Sequence, residues 1–122
     1  DSTEPVGPAV ELFGSQFYQD AHAALNDDGM LVVQSESPFI NQSIIQKVNR
    51  GIKKVFPLVK LYLANVPTYP TGLWSFTVGS KSYDPEKPVF LSEDEHKYYN
   101  SAVHQAAFQL PQFVKNIIAQ EE

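Results

Sequence analysis

Two connections of unequal length limit what this chain can fold into. The apolar run Met30-Leu31-Val32-Val33 is followed, some way on, by a second, Val59-Lys60-Leu61-Tyr62-Leu63-Ala64. Between them Ile44, Ile45, Val48, Ile52, Val55 and Phe56 recur at helical spacing, with Lys47, Arg50, Lys53 and Lys54 on the wet side. Pro57 follows, where a helix cannot easily continue. A helical crossover implies a parallel pair of strands. From the second strand to a third, Leu73-Trp74-Ser75-Phe76-Thr77-Val78-Gly79-Ser80, only VPTYPTG (66–72) intervenes. That link is too short for a crossover, so the third strand is expected to be an antiparallel neighbour. An α/β sheet with one reversed strand near its end is the fold class this predicts.

The flanking segments fit around that sheet. Residues 1–12 read as a loop, because Pro5, Gly7 and Pro8 break any period. Phe17, Tyr18, Ala21, Ala24 and Leu25 outline a helix from Ser15, a candidate N-cap, to Leu25, and Asn26-Asp27-Asp28-Gly29 stops it. The run 30–33 has the composition of a strand buried on both faces, and SESPFINQS after it reads as a polar loop. Residues 81–100 are polar and irregular; Val103 to Ile118, punctuated by Pro111, reads as one or two short helices, with Asn100 or Ser101 as cap. Three strands make a poor open sheet with exposed edges. The series is expected to be the second half of a larger doubly wound fold, since no glycine-rich nucleotide loop follows a first strand.

Composition narrows the class further. At 122 residues and 43% hydrophobic, the chain suits one globular unit. With no cysteine it holds neither a disulfide nor a Cys-based metal site. Nine Lys and Arg against 14 Asp and Glu leave a net charge of -5, which argues against a nucleic-acid partner. No apolar run is long enough to cross a bilayer, and a cytoplasmic location is the expectation.

Several residues invite chemistry. Asp1 and Glu4 stand in a proline-rich loop and read equally as a solvated turn or as a pair able to hold a dication or to act as acid and base. Tyr69 lies between Pro67 and Pro70, so its hydroxyl is presented from a stiff turn or simply packs there. Gln34 sits where the first strand ends, a position that faces the ligand crevice of open α/β sheets. Trp74 reads first as core. His22, His96 and His104 are scattered without metal-ligand spacing, and no metal site is expected.

Four blocks, DSTEPVGPAVELF (1–13), DGMLVVQSESPF (28–39), VPTYPTGLWSFTVGSK (66–81) and KYYNSAVHQAAFQLPQF (97–113), together resemble the C-terminal half of the spermidine synthases, the polyamine aminopropyltransferase family. The resemblance implies a class I methyltransferase-like, Rossmann-like sheet whose last strand is reversed between its neighbours. It implies that residues 1–13 are a gate loop, that 14–122 form the α/β half-sheet with C-terminal helices, and that an N-terminal β-rich region and the nucleotide-binding half precede them. Family members transfer the aminopropyl group of decarboxylated S-adenosylmethionine to a diamine, usually putrescine, giving spermidine and methylthioadenosine. No cofactor is implied, the sulfonium donor being a co-substrate, and neither is a membrane partner.

By that resemblance Asp1 accepts the proton of the attacking amine and Tyr69 orients the reacting nitrogen. Ser2, Thr3, Glu4, Gln34 and Trp74 join them around the diamine, and Pro8, Ala9 and Leu12 lie against the methylthioadenosine part. The chemistry needs such a base, because an alkylammonium with a pKa of about 10.4 has no lone pair to attack with at neutral pH. Glu4 departs from the aspartate usual at its position; one methylene is worth about 1–3 kcal/mol, enough to tilt the choice between putrescine and cadaverine. A homodimer or homotetramer is implied, and the chain alone is expected to be inactive. Two other readings stand beside this one: a methyltransferase sharing the fold, and a non-catalytic polyamine-binding module.

Overall fold

A computed structural model describes residues 14–88 and 96–120. Within them the chain runs α1 (Ser15–Ala24), β1 (Met30–Glu36), α2 (Gln42–Lys53), β2 (Leu58–Asn65), β3 (Leu73–Ser80), α3 (Ser101–Ala107) and α4 (Gln112–Ala119). The polar tail thus holds two helices rather than one, with Pro111 between them as the N-cap of α4. Asn100 caps α3, its side-chain oxygen accepting from Val103 N at 2.8 Å. At α1 the cap is Gly14, and Ser15 is the first helical residue rather than the cap.

The sheet order is β1-β3-β2, and β3 is antiparallel to both of its neighbours. β1 and β2 therefore share a direction, as a helical crossover requires, but they are not paired with each other. The α2 crossover spans a gap one strand wide, and the short 66–72 turn folds β3 back into it. The reversed strand is the central one of the three, which is the arrangement implied for the end of a methyltransferase-like sheet.

Register separates the two faces. Val33, Thr77 and Leu61 lie on one face with Leu31, Gly79 and Val59, and this face is covered by helices. Tyr18 of α1 and Val48 and Ile52 of α2 close with Val33 and Phe56 into one cluster. Ile45 of α2, Leu61 of β2, and Val114 and Ile117 of α4 form another. The helix lies so close to the sheet that a Cβ on Gly79 would meet Ile52 Cγ2 at 2.7 Å and Phe56 Cγ at 2.8 Å. Gly51 gives the same close approach to Tyr18, whose ring stands 2.6 Å from the position a Cβ would take.

The opposite face is only partly covered. Tyr62 stacks on Phe76 (centroids 5.0 Å, 13°) and meets Phe108, which follows α3, at 5.3 Å. Beside them an apolar groove of about 690 Å³ runs over Val32, Tyr62, Val78, Tyr99 and His104. Val32 is 48% exposed in it, so β1 is not buried on both faces as its composition suggests. An apolar run carries no information about which of its faces finds a partner. His104 is structural: it bonds the Tyr99 hydroxyl at 2.9 Å and the Pro85 carbonyl at 2.8 Å. Lys60 of β2 reaches Asp84 (3.5 Å) and Glu86 (3.0 Å), fastening the 81–88 segment to the sheet edge. Among the described residues no helix is long and apolar enough to cross a membrane.

Candidate functional site

Because β1 and β2 run the same way, both of their carboxyl ends fall at one end of the sheet, where β3 begins. Ligands of open α/β sheets bind outside the carboxyl ends of the strands. Two chain segments meet there: the end of β1 with the residues after it, and the turn between β2 and β3.

β1 does not stop where its apolar run stops. It continues through Glu36 with a bulge, since Gln34 pairs with Phe76 while Glu36 pairs with Ser75, one position on. The extra residue, Ser35, is turned onto the helix-covered face. There its hydroxyl bonds Ser75 Oγ at 2.8 Å and Thr77 Oγ1 at 2.9 Å, and Ser75 Oγ donates to the Glu36 carbonyl at 2.8 Å. These buried hydroxyls satisfy one another, which lets a polar stretch be interior at little cost. Residues 35–38, expected in a polar loop, are in fact all buried. Glu36 adopts φ 77, uncommon for a non-glycine residue, and the residue is only 7% exposed.

The turn 66–72 is closed by its own backbone. Val66 N donates to Gly72 O at 2.7 Å, Tyr69 N to Val66 O at 3.0 Å and Gly72 N to Tyr69 O at 3.0 Å. Thr71 and Gly72 follow each other at φ 70 and φ 76. This shape lifts Tyr69 above the strand ends, 38% exposed, with its ring 4.6 Å from that of Trp74. Trp74 itself is buried, and its Nε1 has no hydrogen-bond partner among the described residues. Directly paired residues share a face, and so do residues two apart on a strand. Gln34 therefore lies on the same face as Phe76 and Trp74, the one away from α2.

Of the residues singled out in the sequence, Tyr69 and Trp74 are in ring contact at this rim, and Gln34 lies on the same face of the sheet. Asp1, Ser2, Thr3, Glu4, Pro8, Ala9 and Leu12 lie outside the described residues. The apolar groove is a neighbour of the rim and not its centre: Asn65 and Leu73 border it, whereas Gln34, Tyr69 and Trp74 do not. Three rim residues escaped the sequence reading: Glu36, Ser37 and Thr71. The signal available was the alternation Ser-Glu-Ser straight after an apolar strand, which reads as loop only if the strand is taken to end with its apolar residues.

Chemically the rim is suited to a cationic, hydrogen-bonding guest. Segments 34–39 and 66–76 contain one carboxylate and neither Lys nor Arg. The half-exposed Tyr69 ring can offer a π-face to an ammonium with Trp74 packed behind it, and the phenol and the Gln34 amide carry oxygens able to accept its N–H groups.

Known proteins share this fold. The family model for the spermine/spermidine synthase domain matches residues 1–90. The polyamine aminopropyltransferase of Caldicellulosiruptor saccharolyticus is 52% identical over 120 residues, covering 97% of this chain and 43% of that protein. The Bacillus subtilis polyamine aminopropyltransferase is 51% identical over 121 residues, covering 97% and 44% respectively. Among solved structures, spermidine synthase in complex with the transition-state analogue AdoDATO superposes with a TM-score of 0.85 at 42% identity, over 97% of this chain and 42% of that one. Spermidine synthase from Thermotoga maritima gives 0.82 at 42% identity, over 98% and 42%. The chain thus spans less than half the length of the relatives it matches. With the domain model matched over residues 1–90 and relatives 51% and 52% identical over 97% of the chain, the chain belongs to the spermine/spermidine synthase family.

Proposed function

We propose that the protein carrying this chain is a polyamine aminopropyltransferase, and that this chain supplies its proton acceptor and much of its diamine site. The donor is decarboxylated S-adenosylmethionine, the acceptor putrescine, and the products spermidine and methylthioadenosine. The observation that carries this reading is the placement of Tyr69 over Trp74 at the carboxyl ends of β1 and β2, with Gln34 on the same face. Close relatives bear the name polyamine aminopropyltransferase, which agrees with it.

In this reading Asp1 first pairs with one ammonium of the diamine and then takes its proton. The freed nitrogen lone pair attacks the carbon bound to the sulfonium in line with the C–S bond. As the C–N bond forms, the C–S electron pair returns to sulfur, leaving a neutral thioether, a protonated carboxyl and the positive charge on the new secondary ammonium. Tyr69 Oη holds the attacking nitrogen on that line, and alignment is where most of the rate comes from, because the leaving group is already activated. Gln34 accepts from the distal ammonium through water. Glu4, Ser2 and Thr3 surround the diamine and Trp74 walls it, while Pro8, Ala9 and Leu12 rest on the methylthioadenosine part. The reaction needs neither a metal nor a redox cofactor. The enzyme works in the cytoplasm as a homodimer or homotetramer, and residues outside this chain hold most of the donor.

The test is Asp1→Asn in the full-length protein. General-base loss should lower turnover about 10²- to 10⁴-fold while donor binding, read by calorimetry with methylthioadenosine, stays near that of the parent. Near-normal turnover of the Asn variant at neutral pH would end the base assignment. The 122-residue chain by itself is expected to transfer nothing.

A further inference from the structure

Tyr69 stands on a turn whose three backbone hydrogen bonds are all internal: they shape residues 66–72 but do not orient the turn against β1. Beside the β1–β3 ladder, a side-chain bond among the described residues does that. Ser37 Oγ and Thr71 Oγ1 lie 2.9 Å apart, joining the end of β1 to the turn across 34 residues of sequence. Ser37 is itself anchored. It is fully buried, its hydroxyl accepts from Phe39 N at 3.1 Å, and its N–H donates to Asn41 Oδ1 at 3.4 Å, just before α2. Thr71 holds φ 70, a conformation in which a β-branched residue is an outlier and which persists only where the surroundings over-determine it. A hydroxyl bonded to a fixed partner is such a constraint, and a glycine at 71 would lack it.

We infer that the Ser37–Thr71 hydroxyl pair is the positioning device of the site, setting Tyr69 against Trp74 and the Gln34–Glu36 bulge. Neither residue touches the reacting atoms; each acts through the turn. As regards catalysis the inference rests on the aminopropyltransferase reading. A misplacement of about 1 Å in a positioning group can cost about 10²-fold in rate, so a clamp on this turn is worth testing by kinetics.

The experiment uses Ser37→Ala, Thr71→Val, the double variant and Thr71→Ser in the full-length protein, with a crystal structure of Ser37→Ala. Ser37→Ala strains no backbone and remains informative if Thr71→Val does not fold. The expected result is a loss of about tenfold or more in kcat/KM for the diamine, with KM for the donor within about twofold of the parent. Thr71→Ser should keep parental kinetics, and the double variant should be no worse than the weaker single, as for two members of one bond. In the crystal structure Tyr69 should leave its 4.6 Å contact with Trp74. An unchanged Tyr69 position, or a loss that falls equally on donor and diamine and tracks thermal stability alone, would overturn the clamp. If the parent transfers no aminopropyl group, the functional reading fails, and the position of Tyr69 in Ser37→Ala still decides the clamp.

Discussion

The core beneath α2 and the rim at the carboxyl ends of β1 and β2 lie on the same strands, yet they are buried by different means. Beneath α2 the interior is Tyr18, Ile45, Val48 and Ile52, held by apolar contact in ordinary helical and strand backbone. At the rim the fully buried polar side chains are Ser35, Ser37 and Ser75, joined by Thr77, and two non-glycine residues nearby, Glu36 and Thr71, sit at positive φ. Burial alone therefore does not separate structure from site. Apolar contact is non-directional and stabilises whatever packs, whereas a hydroxyl bond fixes a direction and loses its worth when its partner moves. The first region is built to hold, the second to aim.

That contrast can be broken by substitution. The largest stability effect belongs to the core: Ile52→Ala should cost about 2–5 kcal/mol in denaturant unfolding, since Ile52 is fully buried between α2 and the sheet. The folded fraction should keep its kinetic constants; a selective change in diamine KM would show that core and rim are coupled. Tyr69→Phe probes the other side. Losing one hydrogen bond to a charged guest, worth about 1.5–3 kcal/mol, should lower diamine kcat/KM roughly 10- to 100-fold with the melting temperature unchanged. A fall in stability without a fall in activity would make Tyr69 a packing residue.

The smallest effect at neutral pH is expected from Tyr18→Phe. Burial pushes the Tyr18 phenol up to about 12, and its oxygen has no partner among the described residues. Its folded pKa lies above its unfolded value of about 10, so the unfolded chain ionises first. The stability tied to the neutral phenol is complete below about pH 10 and drains away as pH rises toward 12. The Phe variant should match or exceed the parent near pH 7 and show a flatter decline between those limits, measured by thermal unfolding across the alkaline range. An identical decline in both proteins would assign it to another group.

Much of the architecture was legible because it rests on local rules. The α2 stripe from Ile44 to Ile52, the stop before Pro57, the strand Leu73–Ser80 and a cap at Asn100 or Ser101, which the structure assigns to Asn100, follow from periodicity, proline chemistry and capping within a few residues. The candidate site was legible in part. Tyr69 between two prolines is a local signal and four motif blocks in order pointed to the family, whereas Gln34, read as a strand end, stands inside β1 just before the bulge.

The helices and strands, apart from the end of β1, the common direction of β1 and β2, the reversal of β3 and the kinship with spermine/spermidine synthases could all be read from the order of residues. Three features waited on the folded chain: the continuation of β1 past Val33, the open groove beside Val32, and the inward turn of Ser35, Glu36 and Ser37. The reason is range. Helical period, turn length and capping are set by neighbours in the chain, whereas pairing order and the burial of a polar side chain depend on partners 34 to 42 residues away, such as Thr71 for Ser37 and Thr77 for Ser35. No local pattern marks a serine as interior until the hydroxyl that satisfies it has arrived.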